Sequence, residues 1–278
     1  MERGARMSSL GRVARAVFIT AVLVFYAVPL LWVLLTPFNA RAGPQLRIPA
    51  PPTLANFRLV FANPLAARAL FWNSPIIAAG VTLVVLVVAA LAAYALTRGA
   101  VRGRDAILYG LILIAAIVSG PVAMIPLYLI AAELNLLGSY VGVILILAAL
   151  LLPPAMFLVR EFLTGVPRSC EEAALLAGAS PVGVLRDVVL PLIRHGLMLV
   201  GVWVFVSAWG EFFVPFILLR APELYPASII IYGYRDESGV FRIPLISAFA
   251  LLYALPVLIL YLYVSRRYGF RFFGGYRG

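Results

Sequence analysis

Lysine is absent from the 278-residue sequence; all 22 basic residues are arginine, against 11 acidic ones. Without lysine there is no Walker A phosphate loop and no Schiff-base nucleophile. A single cysteine, Cys170, excludes an intrachain disulfide, and with the single histidine, His195, it leaves too few ligands for a zinc or haem site. Charged residues of either sign make up only 12%, where a soluble domain carries about 25%. No low-complexity tract and no internal repeat is visible.

What fills the chain instead is apolar: 64% of residues are hydrophobic, and the mean hydropathy is +1.06. A globular core cannot absorb such a surplus, because a soluble fold must still present a wettable surface. The composition excludes a soluble enzyme, a disordered chain and a secreted disulfide scaffold, and it points to an all-α integral membrane protein. The net charge of +11 would suit a nucleic-acid binder. The arginines, however, lie mostly between long apolar runs and not on one polar face, so they read as topology signals facing membrane lipid, with no nucleic acid involved.

A span needs about 20 apolar residues. Six segments qualify, at about residues 15–38, 71–96, 106–131, 137–159, 192–218 and 243–264. Ala40-Arg41-Ala42 after the first resembles a signal-peptidase site. The preceding run is nevertheless longer than the about 7–15 residues of a signal h-region, which favours an uncleaved span. With the N-terminus inside, fifteen of the 22 arginines fall in cytoplasmic pieces and seven outside. The positive-inside rule then predicts both termini in the cytoplasm, against the pull of Arg41, Arg47, Arg58 and Arg68 in the first outer loop. Pro29, Pro121, Pro126, Pro153, Pro154, Pro215 and Pro256 fall inside the spans and predict bent helices.

The longest cytoplasmic stretch runs from about Arg160 to Pro191. Ser169 is a candidate N-cap, placing Glu171 and Glu172 in a first helical turn where the dipole favours anions. Ala173, Ala174 and Ala177 keep one side small, and Gly178 suits the C-terminal stop. Ser180-Pro181 then opens a second helix, with Val184, Leu185 and Val188 as an apolar stripe. A membrane-surface helix would be richly basic on its polar face. This segment carries Glu171, Glu172 and Asp187, and so fits a docking element for a protein partner.

Glu172-Ala173-Ala174, Gly178, Val188 and Leu190-Pro191 stand at the spacing of the EAA loop, and the chain thereby resembles the permeases of ABC importers, with Val188 where isoleucine is usual. Pro52-Thr53-Leu54-Ala55-Asn56-Phe57, Asn73-Ser74, Ala92-Ala93-Tyr94-Ala95-Leu96, Ile125-Pro126-Leu127-Tyr128 and Trp209-Gly210-Glu211-Phe212 are similar to the sugar-type, MalG-like branch, where the last motif more often reads Trp-Asn-Glu-Phe. The resemblance implies a six-helix ABC type-1 (MetI-like) permease fold, N-in and C-in, in the cytoplasmic membrane of a prokaryote. Residues 1–68 would hold the first helix and its outer loop, 69–265 the transmembrane domain with a coupling segment at about 168–191, and 266–278 a cytoplasmic tail. It further implies a second, MalF-like permease, two ABC ATPase subunits that use ATP and magnesium, and an extracytoplasmic solute-binding protein. This chain itself would need no cofactor and would not be an enzyme. Glu171, Glu172, Ala173, Ala174, Gly178, Val188, Leu190 and Pro191 are the expected contacts that couple it to the ATPase.

Glu211 is the one acidic residue deep within a predicted span, about 28 Å along the fifth at 1.5 Å per residue. It is a candidate for the solute path, for a bond to the partner permease, or for exposure at the interface. Trp209 beside it is a second path candidate or an interfacial anchor. The outer loop from about Arg220 to Arg242 carries Tyr225, Tyr232, Tyr234, Asp236 and Glu237, whose rings and carboxylates suit sugars. These are candidate contacts with the binding protein, or else an aromatic belt with an exposed turn. A secondary transporter would carry inverted repeats and paired mid-membrane polar sites, and neither is visible. An intramembrane enzyme would need a nucleophile and base that one histidine does not supply. A permease for a non-sugar solute stays compatible with the EAA loop.

Overall fold

In the computed structural model, residues 9–39, 48–99, 103–117, 121–235 and 239–268 are described. Among them the chain is helical throughout, apart from turns and one isolated antiparallel bridge between Arg235 and Phe241. In chain order the helices are α1 (Ser9–Leu35), α2 (Ala55–Ala62), α3 (Pro64–Arg68), α4 (Ser74–Arg98), α5 (Arg104–Ile117), α6 (Pro121–Glu133) and α7 (Tyr140–Thr164). There follow α8 (Arg168–Leu176), α9 (Pro181–Gly183), α10 (Leu190–Leu192), α11 (Arg194–Gly210), α12 (Phe213–Leu218), α13 (Ala227–Ile230) and α14 (Ile243–Tyr268). The chain divides into two compact units, residues 1–63 with 231–255, and residues 64–230 with 256–278.

In the first unit α1 presents exposed side chains on every face from Arg15 to Leu30. An apolar helix without a polar side belongs in lipid or against another membrane subunit. A 3₁₀ turn, Thr36–Phe38, ends it. The Thr53–Phe57 motif then folds back on that turn. Thr53 donates its N–H to the Phe38 carbonyl (2.8 Å), and the buried Asn56 amide donates to the carbonyls of Pro37 (2.8 Å) and Asn39 (3.1 Å). Phe57 packs its ring on Phe38.

In the second unit α4 packs on α7 and α11, which also touch each other. Ile77, Val81, Val85 and Ala89 recur every four residues along the buried side of α4, and Val143, Leu147 and Val159 of α7 and Val200 and Val204 of α11 are buried likewise. Small residues set the approach. A Cβ at Gly80 would lie 2.6 Å from Ile144 of α7, and one at Gly196 would run into the Phe162 ring. Helices in lipid associate through such close packing, because lipid tails are as apolar as the side chains.

Among the described residues, four helical stretches are long and apolar enough to cross a membrane: Arg15–Phe38, Pro64–Arg98, Tyr140–Thr164 and Ile243–Arg266. Pro181–Leu192 with Arg194–Gly210 makes a fifth candidate, bent by 77°. The predicted span at 106–131 falls on α5 and α6, with residues 118–120 outside the described residues, and the predicted span at 192–218 differs from the observed helices. The latter ends at Gly210, where Glu211 turns extended (φ −70°, ψ 125°) before α12 begins. Pro215 explains that break. Its ring would meet the Glu211 carbonyl four residues back, and it has no N–H to offer that carbonyl.

Candidate functional site

Two clusters of polar side chains lie at opposite ends of the α4–α7–α11 core. One surrounds the α8–α10 segment. Helix α8 begins at Arg168 with Pro167 as its N-cap, not at the predicted Ser169, because Pro167 holds extended backbone (ψ 133°) that cannot be a helical turn. It closes in a Schellman motif: Gly178 N–H donates to the Leu175 carbonyl and Ala179 N–H to the Ala174 carbonyl, each at 3.0 Å. Gly178 sits at φ +88°, as the predicted stop requires. Ser180 caps α9 by accepting from the Gly183 N–H at 3.1 Å, with Pro181 in the first helical position. The predicted stripe shifts by one residue. A π-turn over Val184–Val189 inserts an extra residue, so Val184, Leu185 and Val189 are buried and Val188 is half-buried.

The two adjacent acids of α8 take opposite directions. Glu172 is exposed, beside the exposed Ala173 and half-buried Ala174. Glu171 is only 7% exposed. Its Oε1 pairs with Arg98 Nε at 2.7 Å, and its Oε2 accepts from the Tyr94 hydroxyl at 3.2 Å. Arg98 also donates from Nη2 to the carbonyls of Leu163 (3.1 Å) and Val166 (2.8 Å), which end α7 and lead into α8. Leu190 is half-buried and Pro191 exposed, at the elbow where the segment meets α11. Tyr94 and Arg98 stand four residues apart on α4, hence on one face. That spacing was visible in the sequence, but their partner Glu171 was not.

The second cluster lies around Asn73, which is 1% exposed. Its amide donates to the carbonyls of Glu223 (2.9 Å) and Tyr225 (2.8 Å), and its Oδ1 accepts from the Tyr140 hydroxyl (2.8 Å). Ser74 Oγ accepts from the Ala227 N–H at 2.8 Å. The Asn73-Ser74 pair thus pins the 223–227 segment to the start of α4. Glu211 lies in the same region, in the break between α11 and α12. Its Oε1 accepts from the N–H groups of Phe213 (2.8 Å) and Val214 (3.2 Å), capping α12. The Glu211 carbonyl that Pro215 leaves without a helical donor accepts from Ser228 Oγ at 2.8 Å. Trp209 is 3% exposed and stacks on Phe205.

Of the loop residues, Tyr225 is half-buried, with its carbonyl held by Asn73. Tyr232 and Tyr234 belong to the other unit, where Tyr232 is exposed. Tyr234 is buried against Phe249, and burial pushes its phenol up to about 12. Asp236 and Glu237 lie outside the described residues.

A family model described as "Binding-protein-dependent transport system inner membrane component" matches residues 86–269. The chain is similar to the sulfoquinovosyl glycerol transport system permease protein SmoH of Agrobacterium fabrum, at 33% identity over 92% of this chain and 90% of that protein. It is 29% identical to the trehalose transport system permease protein SugB of Mycobacterium tuberculosis, over 91% of this chain and 92% of the relative. It is 26% identical to the maltodextrin transport system permease protein MdxG of Bacillus subtilis, over 93% of each. Its fold matches a chain in the crystal structure of a bacterial ABC transporter involved in the import of the acidic polysaccharide alginate, with a TM-score of 0.82, 19% identity, and coverage of 96% of this chain and all of that one.

Proposed function

The chain belongs to the family of inner membrane components of binding-protein-dependent transport systems, and from that membership we propose that it is the permease subunit of an ATP-driven importer that moves a carbohydrate or related polyol across the cytoplasmic membrane. It is a multi-pass protein of that membrane. Both termini and the α8–α10 segment face the cytoplasm, and the Asn73–Glu211 region faces outward. The arginine distribution supports this orientation. A second permease of the MalF-like kind completes the path, two ATPase subunits bind below, and a solute-binding protein delivers cargo from outside. ATP and magnesium act on the ATPase subunits, and this chain performs no covalent chemistry.

The observation that carries the reading is α8. It is a nine-residue helix with an exposed acid, Glu172, small neighbours in Ala173 and Ala174, and a glycine-closed end. Such a helix fits a cleft in another protein. Closure of the ATPase pair displaces it, and the bundle alternates between outward- and inward-facing states. The carbohydrate assignment draws on the sulfoquinovosyl glycerol, trehalose and maltodextrin systems of the relatives. Glu211 and Trp209 border the path. Tyr225, Tyr232, Asp236 and Glu237 contact the binding protein, and Tyr234, buried against Phe249, supports that loop from within its own unit.

The test is reconstitution of the chain with its partner permease, ATPase and binding protein in liposomes. Uptake that requires ATP and the binding protein, and that a carbohydrate competes, is expected. Uptake of an amino acid or inorganic ion in the same assay would replace the carbohydrate assignment.

A further inference from the structure

We propose that Arg98 and Glu171 form a clamp that makes α8 move as one body with α4, so that Glu171 is a positioning residue and not a docking contact. The inference rests on the coupling role given above to α8. Adjacent residues of a helix point about 100° apart, and here Glu172 is exposed while Glu171 is buried. Glu171 turns inward to Arg98, the last residue of α4. Both side chains are largely shielded from solvent, at 13% and 10% exposure. Shielding from water raises the strength of the pairing and the cost of breaking it. Arg98 holds the Glu171 carboxylate in an ion pair through Nε and donates from Nη2 to the Leu163 and Val166 carbonyls. Tyr94, one turn earlier on α4, holds the other carboxylate oxygen.

The ends of α4 and α7 and the first turn of α8 therefore meet on a single guanidinium. Lysine could not reproduce this arrangement, because an ammonium is a point charge without a planar fork. The buried face of α4 runs without interruption from Thr97 back to Ile77 and Asn73. A push on the exposed side of α8 passes through Glu171 to Arg98, and then along α4 to the far end, where Asn73 holds the 223–227 segment.

The experiment uses the full complex with partner permease and ATPase, carrying Glu171→Gln, Arg98→Lys or Tyr94→Phe. Three quantities are read: ATPase retention, basal ATP hydrolysis, and solute moved per ATP hydrolysed. Spin labels at the native, exposed Cys170 and at Leu83→Cys on α4 report the spread of distances between α8 and α4 with and without nucleotide. Glu171→Gln should keep its ATPase and its basal hydrolysis but lose about tenfold in solute per ATP, within the usual range of coupling between distant sites. Its distance distribution should broaden relative to wild type. Arg98→Lys should fall between the two, and Tyr94→Phe should show the same broadening with a smaller loss.

Wild-type solute per ATP together with an unchanged distance spread in Glu171→Gln would overturn the clamp. Release of the ATPase by Glu171→Gln as complete as that by Glu172→Lys would show Glu171 to be a docking contact after all. If Glu171→Gln does not accumulate, Tyr94→Phe decides by the same two readouts. Failure of the coupling role itself has a different signature: Glu172→Lys would then keep wild-type ATPase binding and uptake, while the spin-label distances would still report on the clamp.

Discussion

Replacing Gly178 by valine changes one backbone position whose geometry is known. Gly178 stands at φ +88°, and a Cβ built there meets no atom within 4 Å. Crowding inside the chain therefore contributes nothing, and the whole cost is conformational. A left-handed residue with a Cβ costs about 1–2 kcal/mol, and a β-branched side chain is a genuine outlier there. The alternative for valine is to leave that region, which breaks the two Schellman hydrogen bonds at 3.0 Å. Their loss costs about 0.5–1.5 kcal/mol each. Either route removes about 1–3 kcal/mol from the closed end of α8, a factor of about 5–150 in the population of the native turn. The turn sets the direction in which the chain enters α9, so α8 would be presented to the ATPase at the wrong angle. Gly178→Val should insert normally, retain little ATPase on purification, and show weak binding-protein-stimulated hydrolysis. Gly178→Asn should come much closer to wild type, because asparagine tolerates left-handed backbone. Full ATPase retention and stimulation in the valine variant would refute this reasoning. So would asparagine failing as badly as valine, since backbone geometry would then not be the cause.

Three further outcomes are expected. Glu211→Gln keeps an acceptor for the Phe213 and Val214 N–H groups, so assembly should survive, and a fall in uptake at constant basal hydrolysis would place the carboxylate charge on the solute path; loss of assembly would place it at the partner permease. Asn73→Ala strands the Tyr140 hydroxyl and the carbonyls of Glu223 and Tyr225, and should destabilise the detergent-solubilised protein by at least about 2 kcal/mol in a thermal-inactivation assay. In intact cells the native Cys170 should resist an impermeant thiol reagent added outside, while Tyr232→Cys in a Cys170→Ser background should react; labelling of Cys170 from outside would reverse the orientation.

Membrane class, the α8 stop at Gly178 and the Ser180-Pro181 start were legible because each rests on local chemistry. Composition reports the solvent, positive φ calls for glycine, and serine before proline caps a helix. The break at Glu211 was harder to read. Hydropathy averages over proline, and only the carbonyl four residues before Pro215 shows where the fifth apolar run must stop. The division of labour between Glu171 and Glu172 could not be read at all, since it depends on Arg98 and Tyr94, the latter 77 positions away in the chain. The same holds for Asn73, whose carbonyl partners lie 150 and 152 residues later.

The importer assignment stands most directly on one measurement: ATP hydrolysis and solute uptake by the complex isolated through this chain and placed in liposomes, with and without its solute-binding protein. An ATPase should co-purify in stoichiometric amount, and hydrolysis and carbohydrate uptake should rise together only when the loaded binding protein is present. Uptake that persists after the ATPase subunits are stripped away would contradict the assignment and make the chain a self-sufficient transporter.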